Sequence, residues 1–260
     1  MHTDMTPRQE EILASVVKEY IDTAEPIGSK MLETSGNFGV SSATIRSEMH
    51  ELEQLGYLDH PHTSAGRIPT EKAYKHLINN LTEKDIRINH RDAGIVSKQI
   101  IGAGDSPQNI NKAVAKTLSD LSGSLAITNI IGRDDFYKTG LSELLGLPEF
   151  REFDRISRMT NFFDEFDRMF DDLAHDFFGN DFNDFFTRPR PFNKIDHRIK
   201  VFIGRENPIK EMHDATVMAT QFRLPGNYIG SLTLIGPMRM NYGRNIGLMK
   251  HTTDTLNNIY

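Results

Sequence analysis

Arg67 is the only Lys or Arg between Asp59 and Thr70, and it stands in a polar loop, residues 61–70, of sequence PHTSAGRIPT. A guanidinium so placed can pair with a phosphate or with a base edge in a DNA groove. A second group of residues precedes it. In SSATIRSEMHELEQLG, which ends at Gly56, helical spacing puts Ala43, Ser47, His50 and Gln54 on one outward row, flanked by Thr44 and Arg46. Small and polar side chains suit entry into the major groove, where bulky ones would hold a helix away from base edges. An ordinary amphipathic surface helix would carry the same row, so the helix alone does not decide; the loop after it tips the reading toward DNA. Other chemistry is poorly supplied. With no cysteine, disulfides, thiolate metal sites and cysteine catalysis are excluded. His60 and His62 are spaced to share a metal, but two histidines in a turn more often meet phosphate or solvent, so no metal is expected. Gly102 and Gly104 lack the third glycine of a dinucleotide loop, and no Walker lysine motif is present. No active site and no cofactor are expected.

The elements that must carry these residues follow from local signals. Thr6, Pro7 and Gln9 form a helix start with a capping box, and Ile12, Leu13, Val16, Val17 and Tyr20 repeat at helical spacing behind it. Residues 25–28 turn the chain, Ser29 is expected to cap a short helix over 30–33, and Ser41 or Ser42 caps the next. In that third helix Ile45, Met49, Leu52 and Leu55 should face the core. A short strand, 57–60, leads into the loop, and Thr70 caps a helix from 71 to about 81. Helix, turn, helix, strand, polar loop and helix is the order of a winged helix-turn-helix. Residues 1–81 are therefore expected to form a DNA-binding domain, 82–93 a linker, and 94–260 an α+β domain. In the last, helices over 95–101 and 110–121, a strand over 125–131, a helical turn at 141–145, a strand at 200–203, a hairpin across 225–227 and a final helix over 241–260 are expected.

Charge does not advertise the partner. The net charge is −6 for 260 residues, and residues 1–81 hold 7 Lys and Arg against 12 Asp and Glu. A DNA reader with that balance must sort its charges by face. The start MHTDMTPRQEE is no secretory signal and no run of 18 apolar residues occurs, so a soluble, cytoplasmic protein without membrane contact is expected.

EPIGSKML, VSSATIRSEM, ELEQLGYL and PHTSAGRIPTEKAY together resemble the HrcA family of bacterial heat-inducible transcription repressors. GLSELLGLPEF (140–150), IGRENP (203–208) and IGSLTLIGPMRMNY (229–242) extend the resemblance through the second domain. The resemblance implies a winged helix followed by a GAF-like domain. It also implies repression of chaperone genes at an inverted repeat of the CIRCE type, a homodimer, and a chaperonin partner whose diversion by heat releases repression. The candidate DNA-binding residues are Ser29, Lys30, Ser41, Ser42, Thr44, Arg46, Ser47, His50, His62, Thr63, Ser64, Arg67 and Lys72. Two readings stay open beside it: a winged-helix regulator sensing a small molecule through its GAF-like domain, and an interaction protein that has lost operator binding.

Three departures from the family pattern matter. Only residues 132–139 separate the 118–131 segment from GLSELL, where the family carries a long insert that helps it dimerise. Residues 150–192 hold 12 of the 16 phenylalanines, interleaved with Asp and Arg. That stretch reads either as an amphipathic helix packed on the second domain or as an interaction segment, with 162–192 the candidate dimer contact. Finally, Ser47 stands where family members usually carry Asn, which can make a bidentate contact to adenine; Met238 and Asn241 depart from the usual Thr and Asp.

Overall fold

The computed structural model describes residues 5–36, 38–61, 66–133, 135–151, 155, 157–158, 160–161 and 199–260. His62, Thr63 and Ser64, and the Phe-rich stretch 162–192, lie outside the described residues. The chain divides into two compact units, Met1–Asn80 and Leu81–Tyr260.

The first unit begins with helix α1, Pro7–Thr23. Its start is the expected capping box: Thr6 Oγ1 accepts from the Gln9 N–H, and the Gln9 side chain accepts from the Thr6 N–H. Helices α2, Ser29–Ser35, and α3, Ser42–Gln54, follow. Gly28, not Ser29, takes the N-cap place of α2, and Ser29 is buried as its first residue. Gly56 ends α3 with φ +78°, and its successor Tyr57 donates to the carbonyl of Leu52 at 2.9 Å. Only glycine takes that left-handed turn without strain. Strands β1, Leu58–Asp59, and β2, Ile68–Pro69, pair antiparallel, and α4, Glu71–Asn80, closes the unit. Ile12, Val16, Leu32, Ile45 and Leu52 are fully buried between the helices. Burial of each such side chain contributes roughly 1.5–3 kcal/mol.

The second unit is α+β. Helices α5, His90–Gly102, and α6, Pro107–Ser122, precede a five-stranded antiparallel sheet. Its strands are β3, Leu125–Ile130; β4, Phe136–Thr139; β5, Lys200–Ile203; β6, Ala215–Leu224; and β7, Tyr228–Pro237. Helix α7, Leu141–Gly146, follows β4, and α8, Tyr242–Ile259, ends the unit. The spatial order is β4-β3-β7-β6-β5, so β3 lies beside β7 with Leu125 opposite Ile235. Leu125, Ile127, Val217 and Ile235 share a cluster with Leu144, Phe150, Ile209 and Met212. Toward the helices, Thr128 donates to the carbonyl of Asn111 at 3.1 Å, and the hydroxyls of Thr216 and Tyr242 lie 2.9 Å apart. The Asn111 and Gln221 side-chain amides are buried with no hydrogen-bond partner among the described residues.

Several elements differ from their expected bounds. The 225–227 hairpin is present, with Gly226 and Asn227 both at positive φ. Helix α5 starts five residues before the expected 95, because Asn89 caps it by accepting from the Asp92 N–H at 2.8 Å. Strand β4 was not expected. The stretch expected as a linker, 82–93, lies within the second unit, where a methyl added at Gly243 would stand 2.5 Å from the Asp85 carbonyl oxygen. Among the described residues, no helix is long and apolar enough to cross a membrane.

Candidate nucleic-acid interface

Helix α3 sorts its residues by face. Ile45, Met49 and Leu52 are buried, while Ala43, Arg46, Ser47, His50 and Gln54 are exposed. Ser41 caps the N-terminus by accepting from the Thr44 N–H at 3.4 Å, and the two hydroxyls lie 3.2 Å apart. The Ser42 N–H donates to Glu33 Oε1 at 2.9 Å, which ties α2 to the start of α3. Ser41, Ser42, Thr44, Arg46, Ser47 and His50 thus lie together from the start of α3 along its outer side, with Lys30 exposed on α2. Ser29 does not join them, because its burial withdraws the hydroxyl from any groove.

The acidic residues of α3 are each paired, and one of them, Glu53, meets the row itself at His50. Glu48 lies 3.7 Å from Arg8, and Glu51 accepts from the Gln9 side chain at 2.7 Å, both partners belonging to α1. Glu53 accepts from Arg67 Nη2 at 2.8 Å, from His60 Nδ1, and at 3.4 Å from His50 Nδ1. Desolvation pushes the Glu53 carboxyl up. The hydrogen bonds from His50 and His60, with the charges of Arg67 and His60, outweigh it and hold the group below its usual value. An acidic module therefore presents an outward row of neutral, basic and small side chains, which is the sorting that phosphate contact requires.

Arg67 sits at the stem of the wing. Its N–H and carbonyl both bond Ile27, each at 2.8 Å, and its side chain is only 22% exposed against Glu53. Gly66 packs so close to Ile27 that an added Cβ would stand 2.5 Å from the Ile27 carbonyl carbon and oxygen. Lys72 Nζ donates to the Leu55 carbonyl at 2.7 Å and lies 4.1 Å from the centre of the Tyr57 ring. That cation satisfies the end of α3, where the helix dipole favours positive charge. Glu53 and Gly66 were missed in the sequence; the spacing of an acid and a base across a short strand is the only signal that points to the first. In the second unit, Met218 lies between Val201 and Leu234 across the sheet, and Met218 and Leu234 are fully buried.

Comparison with known proteins agrees with this geometry. Residues 4–83 match the family model described as winged helix-turn-helix transcription repressor, HrcA DNA-binding, and residues 70–246 match HrcA protein C terminal domain. A heat-inducible transcription repressor HrcA of Thermoanaerobacter sp. (strain X514) is 28% identical over 334 aligned positions, covering 97% of each chain. Another from Oceanobacillus iheyensis is 28% identical over 338, covering 98% of this chain and 97% of the relative. Both alignments are longer than the 260 residues here, so these relatives carry internal segments that this chain lacks. The crystal structure of a hypothetical protein at 2.2 Å resolution shares the fold, with TM-score 0.73 and 17% identity over 98% of each chain.

Proposed function

The chain belongs to the HrcA family, so it is a DNA-binding repressor of heat-shock transcription and not an enzyme, and we propose that it reads an inverted-repeat (CIRCE-type) operator as a homodimer. The observation that carries this reading is the exposed outward row of α3, which has no acidic member, while Glu48 and Glu51 pair with α1 and Glu53 pairs with Arg67, His60 and His50. In this reading Arg46, Ser47 and His50 meet base edges. The N-terminal Ser41, Ser42 and Thr44, with Lys30, meet phosphates. Arg67 and the loop residues His62, Thr63 and Ser64 approach the neighbouring backbone or minor groove. Lys72 serves by fixing the end of α3.

An inverted repeat requires two recognition helices related by a two-fold axis, about one turn of DNA or a multiple apart. The relatives' extra internal segments are absent here. The Phe-rich stretch 162–192 is therefore the proposed source of the contact between copies, because aromatic residues concentrate at such interfaces. By family resemblance, a chaperonin keeps the repressor active in the cytoplasm and heat releases repression by diverting it.

Selection from a random duplex library with the full-length protein tests the reading. Enrichment of an inverted repeat is expected; recovery of no shared sequence overturns it. Ser47→Asn then tests which residue reads the site. It should raise affinity for a repeat carrying adenine at the contacted position by roughly 1–3 kcal/mol. Equal binding to adenine-containing and substituted repeats excludes a base contact at position 47.

A further inference from the structure

One carboxylate joins the recognition helix to both ends of the wing loop. Glu53 lies in the last turn of α3. His60, directly after β1, donates to its Oε1, and Arg67, directly before β2, donates to its Oε2 at 2.8 Å. His50, three residues earlier on α3, adds a contact at 3.4 Å. The chain thus leaves the helix-turn-helix and returns to it through two residues held by a single side chain.

The ladder that should aim the loop is weak. Among the described residues it pairs Leu58 with Pro69 and Asp59 with Ile68, extended by the bond of the Thr70 N–H on the Tyr57 carbonyl, and so short a ribbon twists easily. The Arg67 side of the loop has a second anchor, its backbone bridge to Ile27. On the other side, His60 also has its N–H on the adjacent Asp59 carboxylate, a local contact that does not reach α3. The His60–Glu53 contact ties the far end of β1 to the recognition helix, whose other bond on that side, from the Tyr57 N–H to the Leu52 carbonyl, lies before β1.

We propose that Glu53 is the positioning residue of the DNA interface: it sets the angle of the wing against α3 through His60 and Arg67, and so determines how well the protein tells its operator from other DNA. This inference rests on the reading of the first unit as a DNA reader. It predicts an effect opposite in sign to simple electrostatics. A negative charge beside DNA repels phosphates, so its removal should tighten binding to every duplex alike. A positioning role predicts that its removal weakens operator binding while binding to unrelated sequence stays level or rises.

The test uses the full-length protein, the duplex recovered by selection with the wild type, and a scrambled duplex of the same length and composition. E53A should lower affinity for the selected duplex about tenfold without lowering affinity for the scrambled one. E53Q keeps the size and an acceptor oxygen but gives up the charge, and should lose about threefold. In the variant E53A/H60A/R67A, the loss should be close to that of H60A/R67A, because Glu53 acts through those two residues. Far-UV circular dichroism checks that each variant is folded, and if E53A is not, the E53Q ratio of selected to scrambled binding decides. The inference is overturned if that ratio is unchanged, if both duplexes bind more tightly in parallel, or if the E53A loss simply multiplies that of H60A/R67A. A wild type that recovers no duplex overturns the functional reading itself, which the ratio distinguishes from failure of the positioning role alone.

Discussion

Gly66→Ala should loosen the stem of the wing. An ideal Cβ at this position would lie 2.5 Å from the carbonyl carbon and oxygen of Ile27 and 2.8 Å from its nitrogen. All three atoms are backbone, so no side-chain rotation relieves the clash. Ordinary contact needs a retreat of about 1 Å, by the close-packing of protein interiors. The two hydrogen bonds between Ile27 and Arg67, both 2.8 Å long, would open to distances at which neither survives. Each is worth about 1 kcal/mol net, so the loss is roughly 2 kcal/mol. Restricting the unfolded chain by replacing glycine returns about 0.4–1 kcal/mol. The remainder, on the order of 1–1.5 kcal/mol, is close to a tenfold change in the local opening equilibrium. Amide hydrogen exchange reads this directly: the N–H groups of Ile27 and Arg67 should exchange about tenfold faster than in the wild type. Unchanged exchange at both amides would refute the packing argument.

Other substitutions test the same physical reasoning elsewhere. Gly94 lies exposed within α5 with no atom within 4 Å of an added Cβ, so Gly94→Ala should stabilise the second unit by about 0.5–1 kcal/mol in chemical denaturation. A loss of stability there would show that the added methyl meets something. Asn111→Leu replaces a buried amide with no partner among the described residues by a somewhat bulkier hydrocarbon with as many heavy atoms, and should stabilise the second unit by up to roughly 1–3 kcal/mol of relieved desolvation, raising the thermal midpoint; a lowered midpoint would reveal a partner for the amide or a lack of room for the methyl groups. Burial first, and the charge of Lys72 second, lower the pKa of His76 below 6.5, with Glu10 opposing them. The native state then binds fewer protons than the unfolded chain just below that pH, so stability falls as pH drops through 6.5, and His76→Gln should flatten the slope. An NMR titration of the His76 ring with its midpoint at or above 6.5 would contradict this.

What could be read in the sequence was what is encoded locally. The capping box at Thr6 and Gln9, the cap at Ser41, the buried face of Ile45, Met49 and Leu52, and the turn at 225–227 are each set by residues within a few positions of one another. The misses have the opposite character. Strand β4 is a four-residue edge strand of half-buried residues, with no apolar alternation to mark it. The burial of Ser29 is decided by packing around α2, while its residue type signals only a cap. Glu53 looks like any acid on an exposed helix. Its role arises because β1 and β2 bring His60 and Arg67 back to the end of α3, seven and fourteen residues downstream.

The order of the strands also sets an order of synthesis. Every element of the first unit lies within residues 1–80, so the ribosome completes that unit early. Strand β3 pairs with β4 as soon as both emerge, but its other neighbour is β7, and Leu125 waits for Ile235. At ~5–20 residues per second that wait lasts roughly 5–20 s. Through it β3 presents a bare row of N–H and C=O groups beside fully buried Leu125, Ala126 and Ile130. Such an edge is a template for pairing with another chain. Lengthening the chain between β4 and β5 would prolong this exposure, and shortening it would reduce the interval in which a nascent copy needs protection.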